Sequence, residues 1–119
     1  MKVLFVDDTR DTRDFFRFAL ELENIDVRLA GNGRDAVEMV SNEAFDAIIM
    51  DVEMPEMSGW DAARAIRTLG NGRQIPLVMY TAYNDGPVRQ KANEVGADAI
   101  LFKPLLPREI LSRIRQIRV

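Results

Sequence analysis

Five short runs of consecutive apolar residues punctuate the chain: Val3–Val6, Val27–Ala30, Ala47–Met50, Leu77–Tyr80 and Ala99–Phe102. Each has the length of a strand, and unbroken apolar character means a strand covered on both faces, as in a parallel sheet. Helical stripes lie between and after them: Phe15, Ala19 and Leu22 with Phe16 and Leu20; then Ala36, Val37, Val40; Ala62, Ala63, Ile66, Leu69; Val88, Ala92, Val95; and Ile110, Leu111, Ile114, Ile117. The punctuation agrees, with Gly70 and Gly72 after the third pattern, Gly96 after the fourth and Pro107 in the first turn of the fifth. Five β-α repeats imply an α/β fold, a doubly wound five-stranded parallel sheet with right-handed crossovers. In such sheets ligands bind beyond the carboxyl ends of the strands, near the switch in strand order.

The 119 residues suit one domain over 1–119, with no linker, repeat or low-complexity tract. Its radius of gyration is expected to be roughly 13 to 14 Å. The absence of Cys and His removes zinc fingers, thiol chemistry, imidazole general bases and every Ser-His-Asp triad. A net charge of −3 speaks against direct nucleic-acid binding, which needs a dense cationic face. The charge is uneven: Lys103, Arg108, Arg113, Arg115 and Arg118 face Glu109 alone, so residues 103–119 carry +4 and the first 102 carry −7. A solvated basic last helix and a docking face for an acidic partner both fit this end. No segment has the apolar length to span a bilayer, and Val3–Val6 is cut short by two aspartates before it could serve as a signal-peptide core; no membrane association and a cytoplasmic location are expected.

Charged and reactive groups gather at the strand ends. The first run ends in Asp7-Asp8, the third in Asp51, the fourth in Thr81-Ala82 and the fifth in Lys103-Pro104. If the first and third strands are neighbours, three carboxylates converge. Two such charges about 4 Å apart repel by about 4 kcal/mol at an effective dielectric near 20, so something must cancel them. Mg²⁺ takes one or two carboxylates, keeps waters and seeks phosphate oxygens. A carboxylate not fully occupied by metal can attack phosphorus and form an acyl phosphate. Lys103, the Thr81 hydroxyl and the Ala82 N–H would then meet the phosphoryl oxygens. Taken singly, Asp7-Asp8 reads as a helix cap, Asp51 as a loop acid, and Thr81 and Lys103-Pro104 as turn residues. Their shared position at one edge of the sheet favours function.

In these residues the chain resembles the receiver domains of two-component response regulators. The resemblance covers nearly the whole length and rests on Asp7-Asp8, Asp51 with Met54-Pro55 and Met57-Ser58-Gly59, Thr81-Ala82, and Lys103-Pro104. It implies a flavodoxin-like fold of strand order 2-1-3-4-5, in which Asp51 accepts a phosphoryl group from a phosphohistidine. Asp8, Asp51 and the Glu53 backbone carbonyl would ligate Mg²⁺, with Mn²⁺ as a substitute, and Asp7 would act through a bound water. It also implies a signalling domain that assists its own phosphorylation and dephosphorylation. The implied partners are a sensor histidine kinase or histidine phosphotransfer protein, a downstream partner or output domain on the face of the fourth helix, fifth strand and fifth helix, and, as an option, a second copy of the chain. Phosphorylation would draw Thr81 inward and repack that face.

Three positions depart from the common pattern. Ile100 stands where the family usually has a switch aromatic, leaving backbone shifts after Thr81, or a repacked Phe102 or Tyr83, to carry the signal. Glu53 and Tyr83, two residues after Asp51 and Thr81, flank the approach of water and are expected to tune the acyl-phosphate lifetime. Tyr83 could block water and Glu53 could orient it. Trp60, beside Gly59, is expected to pack in the core and to report on the site by its fluorescence. A phosphorylation-independent interaction domain is the competing reading, supported by Ile100 alone. An aspartate-nucleophile phosphatase would carry two Asp one residue apart after the first strand, and Asp7-Asp8-Thr9-Arg10 stands where a dinucleotide enzyme needs glycines.

Overall fold

A computed structural model describes residues 1–118; the side chain of Arg118, one of the cations counted at the basic end, lies outside the described residues, as does Val119. The chain alternates β1 (Lys2–Val6), α1 (Arg10–Glu21), β2 (Asp26–Ala30), α2 (Gly33–Asn42), β3 (Ala47–Asp51), α3 (Gly59–Thr68), β4 (Leu77–Thr81), α4 (Gly86–Glu94), β5 (Ala99–Phe102) and α5 (Pro107–Arg118). All strand pairs are parallel, in the order β2-β1-β3-β4-β5. The radius of gyration is 12.7 Å. No helix among the described residues is long and apolar enough to cross a membrane.

The pleat sends alternate residues of each strand to opposite faces, and both faces are covered. From β1, Val3 and Phe5 pack toward α1 and α5 with Phe16, Leu20, Ile110 and Ile114, while Leu4 and Val6 pack on the other side with Ala36, Val40, Ala62 and Ile66. Every residue of β3 and β4 is buried, as continuous apolar runs require. The edge strand β2 instead alternates, with Asp26 and Arg28 exposed, because only one side of it has a neighbouring strand.

The stripe expected on α1 is narrower than the sequence suggests. Phe16 and Leu20 are buried, whereas Phe15 and Leu22 are 55% and 69% exposed. At 3.6 residues per turn, Phe15 points about 100° away from Phe16, beyond the sector that meets the sheet. Its ring sits edge-on against Phe16, with centroids 5.2 Å apart.

Strand register builds the site. Val6 pairs with both Ala30 and Met50, so Asp7 and Asp51 leave adjacent strands at the same level. Thr81 pairs with Phe102, and the Lys103 N–H donates to the Thr81 carbonyl at 2.8 Å, setting Lys103 beside the end of β4. Gly59 opens α3 against the Asp51 loop. Its N–H donates to the Val52 carbonyl at 2.9 Å, and a Cβ at this position would stand 2.1 Å from the Asp51 carbonyl oxygen. Only glycine permits that approach.

Candidate functional site

Carboxylate oxygens of Asp7, Asp8 and Asp51 all lie within 4.8 Å of one another. Asp7 and Asp51 are buried and Asp8 is exposed. At that separation each like-charged pair repels by about 3.5 kcal/mol at an effective dielectric near 20. The set consists of hard oxygen donors in a partly buried acidic cluster that Lys103 cancels only in part, which fits a hard dication such as Mg²⁺ and gives a softer metal no nitrogen or sulfur ligand. Asp7 does not cap α1: the cap residue is Thr9, whose N–H donates to Asp7 Oδ1 at 2.7 Å. The Arg13 guanidinium donates to the Asp7 main-chain carbonyl at 2.8 Å.

Asp51 Oδ1 accepts from the Lys103 ammonium at 3.0 Å and from the Glu53 N–H at 3.2 Å. Burial pushes the Asp51 carboxyl up to about 6, opposed by the bond and the charge of Lys103 and reinforced by the charge of Asp7. Near neutrality Asp51 is therefore a carboxylate held in a site that disfavours its charge. Lys103 is about one-third exposed, and the peptide bond that follows it is cis.

Across from Lys103, the Thr81 hydroxyl and the Ala82 N–H both point at one group, the Glu53 side chain. Thr81 Oγ1 donates to Glu53 Oε2 at 2.5 Å, and Ala82 N–H donates to Oε1 at 3.1 Å. Glu53 Oε1 also lies 4.0 Å from Lys103 Nζ. The three groups that the sequence assigns to phosphoryl oxygens thus surround a carboxylate of this chain. Thr81 Oγ1 in turn accepts the Tyr83 N–H at 3.1 Å, while the Tyr83 side chain is 61% exposed.

Asp7, Asp8, Asp51, Glu53, Thr81, Ala82 and Lys103 are therefore brought together. Ile100 lies on β5, packed into the core on the α2 and α3 side of the sheet. Trp60 is buried at the start of α3, with the Lys91 ammonium 6.0 Å from its ring centroid. Sequence reasoning missed Tyr80, counting it only as the end of a strand. It is 1% exposed; its hydroxyl donates to Asp7 Oδ2 at 2.5 Å, with the Val6 carbonyl at 3.2 Å, and the Lys103 ammonium lies 5.1 Å from its ring centroid. Burial and the neighbouring Asp7 carboxylate push its hydroxyl far above the usual tyrosine range, so it stays a protonated donor. A phenol within a fully buried strand needs a hydrogen-bond partner, and that requirement was the available signal.

Known proteins share this fold. The family model of the response regulator receiver domain matches residues 3–115. The response regulator MprA of Mycobacterium leprae is 36% identical over 115 residues, covering 97% of this chain and 50% of MprA. The chain therefore spans about half the length of that relative. Among solved structures, the chemotaxis protein CheY4 of Vibrio cholerae superposes with a TM-score of 0.92 at 32% identity, covering 98% of this chain and 97% of that one. The receiver domain of the sensor histidine kinase PA1611 from Pseudomonas aeruginosa, solved with a magnesium ion coordinated in its active-site cleft, gives 0.90 at 28% identity, covering 99% and 98%. With its flavodoxin-like sheet and its acidic cluster at the strand ends, the chain belongs to the response regulator receiver domains of two-component signalling.

Proposed function

We propose that this domain takes a phosphoryl group onto Asp51 from the phosphohistidine of a sensor histidine kinase or a histidine phosphotransfer protein, in a Mg²⁺-dependent reaction. The observation that carries this reading is the Lys103 ammonium 3.0 Å from a buried Asp51 carboxylate whose neighbours Asp7 and Asp8 leave it in need of a dication. An Asp51 oxygen forms the new O–P bond as the P–N bond breaks, and the electron pair of that bond stays with the departing imidazole, which takes up a proton. Asp8, Asp51 and the Glu53 backbone carbonyl would hold the metal, with Asp7 supporting it through a water. When bound, Mg²⁺ or Mn²⁺ cancels the carboxylate repulsion and draws charge from the phosphoryl oxygens.

Lys103, the Thr81 hydroxyl and the Ala82 N–H bind the transferred oxygens, which requires the Glu53 side chain to give up the Thr81 and Ala82 donors. That exchange draws Thr81 toward the phosphate and biases the loop after β4 between two arrangements. The face of α4, β5 and α5 carries the change to a downstream partner, an output domain or a second copy, with Ile100 filling the place of a switch aromatic. Glu53 and Tyr83 set the lifetime of the acyl phosphate. The domain works in the cytoplasm on its own phosphoryl group, turning over no separate substrate. Intact-mass measurement after incubation with Mg²⁺ and a small phosphodonor tests the reading. One added phosphoryl group is expected, lost in Asp51→Asn and on chelation; an unmodified wild-type chain would refute it and leave a phosphorylation-independent interaction domain.

A further inference from the structure

We propose that Tyr80 is a positioning residue of the metal site, its hydroxyl holding the Asp7 carboxylate in place to receive the water of a bound Mg²⁺. This rests on the phosphoacceptor reading above and adds to it a residue from the sheet interior.

Tyr80 precedes Thr81 on β4, and its ring is fixed from behind. It stacks on Phe5 with centroids 5.7 Å apart and planes 25° apart, and Phe5 stacks on Phe16 at 4.8 Å and 20°. Three aromatic rings thus run from α1 across one face of the sheet to the acidic cluster and leave the phenol little freedom to move. The tip of that column meets Asp7 Oδ2, while the Thr9 N–H meets Oδ1, so each carboxylate oxygen has one donor. Arg13, the nearby cation, spends its hydrogen bond on the Asp7 carbonyl instead. Among the described residues, Tyr80 is thus the one side chain hydrogen-bonded to the Asp7 carboxylate.

Asp7 is 2% exposed and sits in a cluster of like charge, a setting that favours a turned-away rotamer. Two neutral donors oppose that rotation without bringing a cation that would compete with the metal. Outer partners that orient the groups around a metal are commonly worth 10- to 100-fold in its affinity. A Phe at this position would keep the aromatic stack and strand Asp7 Oδ2 with no donor.

The test measures Mg²⁺ binding by titration calorimetry for the wild type, Tyr80→Phe, Asp7→Asn and the double variant. Tyr80→Phe is expected to weaken Mg²⁺ about tenfold and to raise the Mg²⁺ concentration for half-maximal phosphorylation by the same factor, while the rate at saturating Mg²⁺ is kept. In the Asp7→Asn background the same change is expected to add nothing. Wild-type affinity in Tyr80→Phe, or losses that multiply in the double variant, would overturn the inference. Should Tyr80→Phe fail to fold, the wild type still decides: a slowly exchanging Tyr80 hydroxyl proton is expected by NMR, shifted by Mg²⁺ and lost in Asp7→Asn, and its absence overturns the inference. A wild type that takes up a phosphoryl group while Tyr80→Phe binds Mg²⁺ normally refutes the role of Tyr80 alone; a wild type that does neither refutes the phosphoacceptor reading as well.

Discussion

Replacing Asp51 by Asn should stabilise the metal-free protein near pH 7. The Asp51 carboxyl moves from 3.8 to about 6 on folding, chiefly through burial, so the native state holds its proton more tightly than the unfolded chain. Stability therefore falls as the pH rises from about 4 to about 6, and the full cost is present above that window. At about 1.4 kcal/mol per pH unit the shift corresponds to about 3 kcal/mol as an upper bound. The opposing pull of Lys103 is already contained in that shift, and relaxation of the site around the charge lowers the cost further. A net stabilisation of about 1 to 2 kcal/mol remains, or roughly 4 to 10 °C in Tm for a domain of this size. Urea melts in the presence of a chelator, run near pH 7 and near pH 4, measure it. The advantage of Asp51→Asn should shrink severalfold near pH 4, where the native wild type carries the proton and the unfolded chain is only partly ionised, and should also shrink in millimolar Mg²⁺. A variant less stable than the wild type near pH 7, or equally favoured at both pH values, would refute the electrostatic argument.

Other perturbations address the loops around Asp51. Gly59→Ala puts a Cβ 2.1 Å from the Asp51 carbonyl oxygen, so a loss of about 3 kcal/mol or more and a displaced Asp51 loop are expected in thermal melts and phosphorylation assays. Glu53→Ala frees the Thr81 and Ala82 donors and removes a competing negative charge; trifluoroberyllate, a phosphoryl analogue, should bind about tenfold tighter by fluorescence titration, given the strength of charge-assisted hydrogen bonds. Tyr83→Ala should shorten the acyl-phosphate lifetime severalfold by opening a path for water, and an unchanged dephosphorylation rate would remove Tyr83 from that role. Trp60 emission should change on millimolar Mg²⁺, because Gly59 beside it bonds the Val52 carbonyl at the Asp51 loop; a flat titration would count against that coupling.

The arrangement has a general electrostatic logic. A carboxylate trio with two buried members costs stability in the resting protein, and in the proposed reaction the same unfavourable charge would favour a bound dication and the attack of Asp51 on an electrophilic phosphorus. Glu53 mitigates the other half of the site, because it gives the buried Thr81 hydroxyl and the Ala82 N–H an acceptor. In the proposed phosphorylation, displacing Glu53 would be an exchange of one anion for another, which would keep the difference between the two loop arrangements small enough for a phosphoryl group to reverse.

The amino-acid sequence by itself determined the alternation of strands and helices and the level at which the chemistry sits. Central parallel strands must be apolar throughout, so Ala47–Met50 and Leu77–Tyr80 announced themselves, and the residues ending them, Asp51 and Thr81, fell at the carboxyl edge as a consequence of topology. Tertiary structure alone decided where individual side chains reach. Whether Phe15 and Leu22 meet the core depends on the angular width of the α1 contact, which periodicity leaves open. Glu53 reaches Thr81 across 28 residues of chain, and Tyr80 reaches Asp7 across 73. Such pairings depend on rotamers chosen after the strands have docked, and a pattern of neighbours along the chain carries no information about them.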